Sequence, residues 1–494
     1  MAIADNQTVQ LTLRDIELDC SPEALLDGLS RLPDPVMLDS SAFHQQYGRY
    51  TVLACCPTQV LTLRDGLLHD SSGRDAASGE RAIWDCLDEA FSRYRLAAPP
   101  PEIGYLPGWF GYVGYEVGRL IERLPGRARR DTPLPDMRLA FYDAVLVYDA
   151  LRHTWALAEL KLPARACRSE AASMLADLAE RSRNAPAHPR PPATENADAA
   201  ELPAASFESN FTPDEYRRAV RRAVEYIAAG DIFQVNLSQR FAVSDAPPPL
   251  DIYRVLRRRN PAWHAAYLAF ESAGHRCAIL SSSPELFLRV RDGRVLTRPI
   301  KGTRRRTGNV AADRAAMDDL WNSPKDNAEL AMIIDLLRND LGRACRYGSV
   351  RVLQAREMET HPTVFHLTGS VEGVLREGVG AAQLLRATFP GGSITGAPKI
   401  RAMEIIDELE SLARGVYTGC IGAVGVDGSC EWNIAIRTIL CHAPPGLPGR
   451  NAAYVQAGGG IVAESNDQAE YQETLDKARA MLEAIQQARV YCKP

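Results

Sequence analysis

Apolar residues recur at two different periods along this chain. Val9-Gln10-Leu11-Thr12-Leu13 alternates at period two and predicts a strand, and the unbroken run Ala144-Val145-Leu146-Val147-Tyr148 predicts a buried one. Between them, Ile83, Leu87, Ala90, Phe91 and Tyr94 recur at helical spacing and predict a helix over Arg81 to Leu96. The stretch Gly108-Trp109-Phe110-Gly111-Tyr112-Val113-Gly114-Tyr115 is dense in glycine and aromatic rings. It has no GxGxxG pattern, so it predicts backbone packed against rings rather than a phosphate loop.

Farther along, Thr212-Pro213-Asp214-Glu215 is a capping box with proline at the first helical position. Val220, Val224 and Ile227 continue that helix, and Gly230 is placed to end it. Strands are predicted at Ile232–Leu237, Cys277–Leu280, Leu286–Val290, Gly419–Val426, Trp432–Leu440 and Tyr454–Ala457. A second marked helix opens at Ser323-Pro324 and carries Leu330, Ile333, Ile334 and Leu337. Helices interrupt the strands in blocks, not in strict alternation. That order predicts an α+β fold of layered, antiparallel-rich sheets flanked by helices. No repeat of fixed period is present.

Composition narrows the class. The chain has 494 residues, 46% apolar and 24% charged, as in an ordinary globular protein. Residues 184–205 are rich in proline and alanine and read as a linker or loop. They divide a region at 1–183 from a region at 206–494. The net charge of −5 gives no basic excess for nucleic acid, and no 18-residue uncharged apolar run predicts a membrane span. The N-terminus lacks the features of a secretory signal. Eleven cysteines without a CxxC predict reduced thiols in a cytoplasmic enzyme and no zinc site.

Several residues are candidates for chemistry, each with a plainer reading beside it. Lys301, in Arg298-Pro299-Ile300-Lys301-Gly302-Thr303, is either a nucleophile or anion clamp at a turn, or a surface lysine. Asp326 and Glu329 lie one helical turn apart, and Glu470, Glu473 and Lys477 share one face of another helix. Such carboxylates suit Mg²⁺ if they converge, and otherwise form solvated helix faces. Gly458-Gly459-Gly460 offers backbone N–H groups to an anion, or is a flexible turn after a strand. Arg437 lies in an otherwise apolar strand and needs an anion, from the protein or from a ligand. His366 reads as a core histidine or a base, and Glu285 as a loop glutamate or an acid–base group.

These motifs also occur in a recognisable order. Gly230–Ser238, Ser283-Pro284-Glu285, Pro299–Thr303, Asp335–Gly342, Gly391–Lys399 and Gly458–Lys477 follow one another between about Phe207 and Leu482. Over this span the chain resembles the chorismate-utilising enzymes: component I of anthranilate synthase and of aminodeoxychorismate synthase, isochorismate synthases and salicylate synthases. Leu38-Asp39-Ser40, Tyr47–Tyr50 and Gly108–Arg119 resemble the N-terminal part of component I subunits. The resemblance implies an anthranilate synthase component I-like fold with two intertwined subdomains. It implies that Glu329 and Glu473 hold Mg²⁺, with Asp326 and Glu470 behind them. Gly302, Thr303, Tyr417, Arg437, Gly458, Gly459, Gly460 and Lys477 would hold the carboxylates and ring of chorismate, and His366 would assist departure of the C4 hydroxyl.

Two positions separate the branches. Family members that add water resemble one another in carrying lysine where this chain has Gln234, and glutamine cannot act as that base. Anthranilate synthases usually read Pro-Ile-Ala-Gly-Thr where this chain reads Pro-Ile-Lys-Gly-Thr, the pattern of the aminodeoxychorismate branch. By that resemblance Lys301 attacks C2 of chorismate as a covalent catalyst, with Glu285 as the nearby base. The expected product is 4-amino-4-deoxychorismate, a precursor of 4-aminobenzoate and folate; anthranilate is the alternative. No length remains for a fused glutaminase or lyase, so ammonia is expected from a separate glutamine amidotransferase subunit. Ser40, Tyr47, Gly48, Arg49 and Tyr50, together with Trp263, His264 and Ala265, resemble a tryptophan pocket of related component I subunits.

Overall fold

The computed structural model describes residues 7–71, 73, 75–163, 170–183, 207–446 and 450–491. The expected linker at 184–205 lies outside the described residues. The described chain forms two large sheets, of thirteen and twelve strands. Almost all pairing is antiparallel; Gln7–Ile16 beside Tyr94–Leu96 is a parallel exception. Each sheet contains strands from both ends of the sequence. His264–Ser272 pairs with Val36–Asp39 in the first sheet, and Cys420–Gly425 pairs with Gly108–Val113 in the second. Strands of the two regions therefore share both sheets, as the resemblance implied.

The sheets pack face to face. Leu38, Val52, Val145, Ile279 and Leu440 of the first meet Phe110, Tyr112, Tyr142, Ile421 and Ala423 of the second. Helices cover the outer faces. Tyr253, Leu256, Met481 and Ile485 lie on the first sheet, and Trp84, Leu87, Leu330 and Ile334 on the second. A helix–sheet–sheet–helix stack results, because each sheet has two apolar faces to bury. No described helix is long and apolar enough to cross a membrane, and the nine described cysteines form no disulfide.

Most predicted elements are present. The capping box at Thr212 forms with both bonds, and the helix runs Pro213–Ala228. Gly230 follows at φ +83°, the left-handed geometry that ends a helix. Four departures stand out. The helix expected to reach Leu96 ends at Ser92, and Tyr94–Leu96 turns into an edge strand. The strand expected to start at Ile232 starts at Gln234 and continues to Ala246. Gly458, Gly459 and Gly460 do not form a turn; they lie inside the strand Asn451–Ile461, opposite Ser238, Leu237 and Asn236.

The fourth difference bears on function. The run Trp432–Leu440 is two strands, Cys430–Asn433 in the second sheet and Thr438–Ala443 in the first. The chain crosses between sheets at Ile434–Arg437, and Arg437 adopts φ +52° to make the crossing. Pro284 and Glu285 make a parallel transfer, from His275–Ser283 in the first sheet to Leu286–Arg291 in the second. The two crossings are hydrogen-bonded together: Ile434 N–H donates to the Glu285 carbonyl at 3.0 Å, and Ser282 N–H to the Arg437 carbonyl at 3.0 Å.

Candidate active site

Lys301 lies on the strand Ile300–Arg305, which pairs with Val364–Val374. The pairing shifts register between Lys301 and Thr303, and Gly302 sits in this bulge at φ +77°. A Cβ at 302 would stand 2.6 Å from Leu320 Cδ1 and 2.9 Å from Asp326 Cγ, so the bulge has room only for glycine. It leaves the lysine pointing inward, 11% exposed. Nζ donates to the Ser393 carbonyl at 3.3 Å and lies 3.9 Å from Glu329 Oε2. Burial pulls the amine pKa below the ordinary lysine range; Glu329 opposes this and nearby Lys477 adds to it.

The two sheet crossings supply the next groups. Glu285 is 4% exposed and accepts a hydrogen bond from Ser393 Oγ at 2.6 Å. Burial pushes its pKa up to about 7, against the pull of Ser393 and Lys301. Arg437 donates to the Lys477 carbonyl at 2.7 Å. Among the described residues no carboxylate forms an ion pair with it, and burial pulls its pKa down. A partly buried guanidinium without a carboxylate partner is costly, so Arg437 is a candidate to hold an anion. Tyr417 is buried close enough to act electrostatically on Arg437.

The predicted carboxylates converge from two helices. Pro324–Gly342 carries Asp326 and Glu329, and Asp467–Tyr491 carries Glu470 and Glu473. Lys325 Nζ bridges the helices, 3.9 Å from Glu329 Oε1 and 3.5 Å from Glu470 Oε1. Lys477 pairs with Glu473 at 2.5 Å and donates to the Gly458 carbonyl at 2.9 Å. Asp326 faces Arg304 at 3.1 Å. The glycine strand forms the floor. A Cβ at 459 would press on Glu470 and Glu473 at 3.2 and 3.3 Å, and one at 460 would overlap the Gln234 amide and approach Glu329 at 3.6 Å.

These residue types fit a hard divalent cation, which takes carboxylate oxygens. Glu470 Oε2 is buried without a hydrogen-bond partner, and the glycines keep side chains out of the space before the acids. Among the described residues no three acid, histidine or thiol groups already stand as a closed coordination set. Lysine ammonium groups neutralise the acids in this arrangement.

His366 is 6% exposed, and its Nδ1 lies 2.9 Å from Thr303 Oγ1. Burial, then the adjacent His361, push its pKa down to about 3. It is therefore a neutral imidazole near pH 7, able to donate a hydrogen bond but not to carry a positive charge. Ser393, Lys325 and His361 were given no role by the sequence. Ser393 lies in the ordered motif Gly391–Lys399, which was its signal; His361 had none.

The residues resembling a tryptophan pocket gather away from this cluster. Ser40 Oγ bonds the Tyr50 and Trp263 carbonyls at 2.8 and 3.1 Å, and His264 Nδ1 lies 3.2 Å from Glu431. Ala265 is paired with Asp39 in the first sheet. The cavity between them is about 20 Å³, space for one water. Tyr47, Arg49 and Tyr50 line a neighbouring polar cavity of about 210 Å³ with Arg289 and Arg291. Gly48 lets its segment fold tightly over Ala42 and Trp263, and Arg49 is paired with Asp149 at 2.6 Å. The Trp263 ring packs on His361, which packs on His366.

Comparison with known proteins identifies the family. A family model described as chorismate binding enzyme matches residues 42–483. Anthranilate synthase component 1 of Pseudomonas aeruginosa is 38% identical over 96% of this chain and 94% of its own length. Aminodeoxychorismate synthase component 1 of Klebsiella aerogenes is 37% identical over 93% and 95%. The crystal structure of anthranilate synthase component I from Streptococcus pneumoniae superposes with a TM-score of 0.71 at 33% identity, covering 89% of this chain and 94% of that one. The chain is a chorismate-utilising enzyme and belongs to the chorismate binding enzyme family.

Proposed function

We propose that the enzyme is an aminodeoxychorismate synthase component I, which makes 4-amino-4-deoxychorismate from chorismate and ammonia. The observation that carries this reading is the buried Lys301 amine, lowered in pKa and placed between Ser393, Glu329 and the Glu285 region. An amine in that setting is a nucleophile. Relatives at similar identity bear both the anthranilate and the aminodeoxychorismate names, so overall similarity does not choose the product.

Arg437 and the free edge of the glycine strand bind the substrate carboxylates, with Tyr417, Gly302 and Thr303 against the ring. Lys301 nitrogen forms a bond to C2 as the C4–O bond breaks and the two ring double bonds shift. Glu285 takes the proton from the new ammonium, His366 donates its N–H hydrogen bond to the departing hydroxide, and the proton held by Glu285 passes to that hydroxide, which leaves as water. Ammonia then bonds to C4, the two double bonds return, and Lys301 leaves C2 as a neutral amine, taking through Glu285 the proton that the new C4 ammonium releases. The balance is chorismate plus ammonia to 4-amino-4-deoxychorismate plus water. Glu329 and Glu473, with Asp326 and Glu470 behind them, are the residues that would hold Mg²⁺, which supplies positive charge to anchor the ring carboxylate. Gln234 offers no base for water. The partner is a glutamine amidotransferase that delivers ammonia.

The test is turnover of chorismate with ammonium and Mg²⁺, coupled to a 4-aminobenzoate-forming lyase, with products separated chromatographically. 4-Aminobenzoate is the expected product; anthranilate without lyase overturns the reading.

A further inference from the structure

The His366 ring is held from two sides. Thr303 Oγ1 meets its Nδ1 at 2.9 Å, and the ring of His361 stands 5.0 Å away, centroid to centroid, with planes at 69°. His361 is itself fixed. It closes the turn between Arg351–Thr360 and Val364–Val374, and its N–H donates to the Val364 carbonyl at 2.9 Å. Its Nε2 lies 3.2 Å from Glu359 Oε2, and its ring packs on Trp263 with centroids 4.5 Å apart.

Glu359 is anchored in turn. Arg298 pairs with it at 2.5 Å and Thr368 Oγ1 donates to it at 3.3 Å. His361 is 4% exposed, Trp263 7% and Glu359 8%. Neither His361 nor Glu359 has a part in the reaction as assigned above. Burying an imidazole and a carboxylate carries a desolvation cost that their mutual bond offsets only in part. A phenylalanine at 361 would fill similar space without that cost. What the pair adds is direction: a ring with one hydrogen-bonded edge cannot rotate freely.

We infer that His361, aligned by Glu359, is a positioning residue that holds the ring plane of His366, so that the His366 N–H meets the substrate in one orientation. The inference rests on assigning His366 to the departing C4 hydroxyl. The chain runs unbroken from Glu359 through His361 to His366, whose ring then faces Thr303 at the lysine bulge. Burial and the neighbouring His361 both keep His366 uncharged, which suits a hydrogen-bond donor of fixed direction.

The experiment compares His361→Phe and His361→Gln in the full chain. Phenylalanine keeps a ring but loses the bond to Glu359; glutamine keeps a donor for it. The readouts are kcat and KM for chorismate, thermal midpoint, and the ring resonances of His366 in histidine-labelled protein. With His361→Phe, kcat is expected to fall about 10²-fold, as for a catalytic group misplaced by about 1 Å. KM and the thermal midpoint should stay near wild type while the His366 ring resonance moves. With His361→Gln, much of the rate should return. A wild-type kcat in His361→Phe, an unmoved resonance, or a loss shared fully by His361→Gln overturns the inference. Product identity is read separately on wild type: an ortho product refutes the proposed reaction but leaves this comparison intact.

Discussion

Ser393 connects the two groups that matter most: its hydroxyl donates to Glu285 at 2.6 Å while its carbonyl accepts from Lys301 at 3.3 Å. One residue therefore sets the spacing between a proposed base and a proposed nucleophile. Both side chains are removed from water, and both pKa values move toward neutrality for that reason, the carboxyl upward and the amine downward.

Glu285 gives a pH-dependent prediction for stability. Burial pushes its carboxyl up to about 7 in the fold, from the ordinary 4.5 that holds in the unfolded chain. Between those values the folded protein holds a proton that the unfolded chain has lost, so stability falls as pH rises through the window. The loss totals about 3 kcal/mol and is complete above pH about 7. Glu285→Gln should therefore unfold at higher denaturant than wild type at pH 8, match it near pH 4, and lose turnover. Equal midpoints at pH 8 contradict the assignment.

Lys301→Ala tests the covalent step. It should abolish any chorismate-derived mass on the protein and lower kcat by at least about 10²-fold. Intact-protein mass spectrometry after rapid quench reads the adduct. If the variant and wild type agree in both adduct and rate, Lys301 is not the nucleophile.

Gly460→Ala places a methyl group where the Gln234 amide now lies and close to Glu329. Overpacking of this kind costs about 1–3 kcal/mol. The predicted signature is a larger loss in kcat/KM than in stability, because the displaced groups belong to the site. An unfolding midpoint that falls while kcat/KM holds would show that the strand is only structural.

The carboxylates give a binding test. Calorimetric titration with Mg²⁺ should yield heat with wild type and little with Glu473→Gln or Glu329→Gln. Chelation should remove turnover reversibly. Undiminished binding in both variants would exclude these two acids as ligands.

Much of this protein is determined by local pattern. The capping box at Thr212, the helix start at Ser323 and the strand at Ala144 appear where periodicity and cap chemistry put them, because their forces act within a few residues. The types of the site residues were equally legible: lysine beside glycine, paired acids one turn apart, a glycine triplet. The failures have a common cause. Trp432–Leu440 reads as one apolar strand because both of its halves are buried, yet it divides between two sheets. Tyr94 continues a helical spacing but joins the edge strand beside Gln7–Ile16.

Tertiary structure alone decided how those residues meet. Glu285 becomes a neighbour of Lys301, and Arg437 of Tyr417 and Glu473, because the chain changes sheets at Glu285 and at Arg437, and pairing across the sheets is a long-range choice. The glycines form a floor rather than a turn because Gln234–Ala246 occupies their other edge. His361 shows the same limit most sharply: five residues from His366 in sequence, it carried no signal until the turn at Thr360–Val364 brought the rings together. Sequence set the elements and the chemical groups; burial, and the charges that burial leaves facing one another, set what those groups can do.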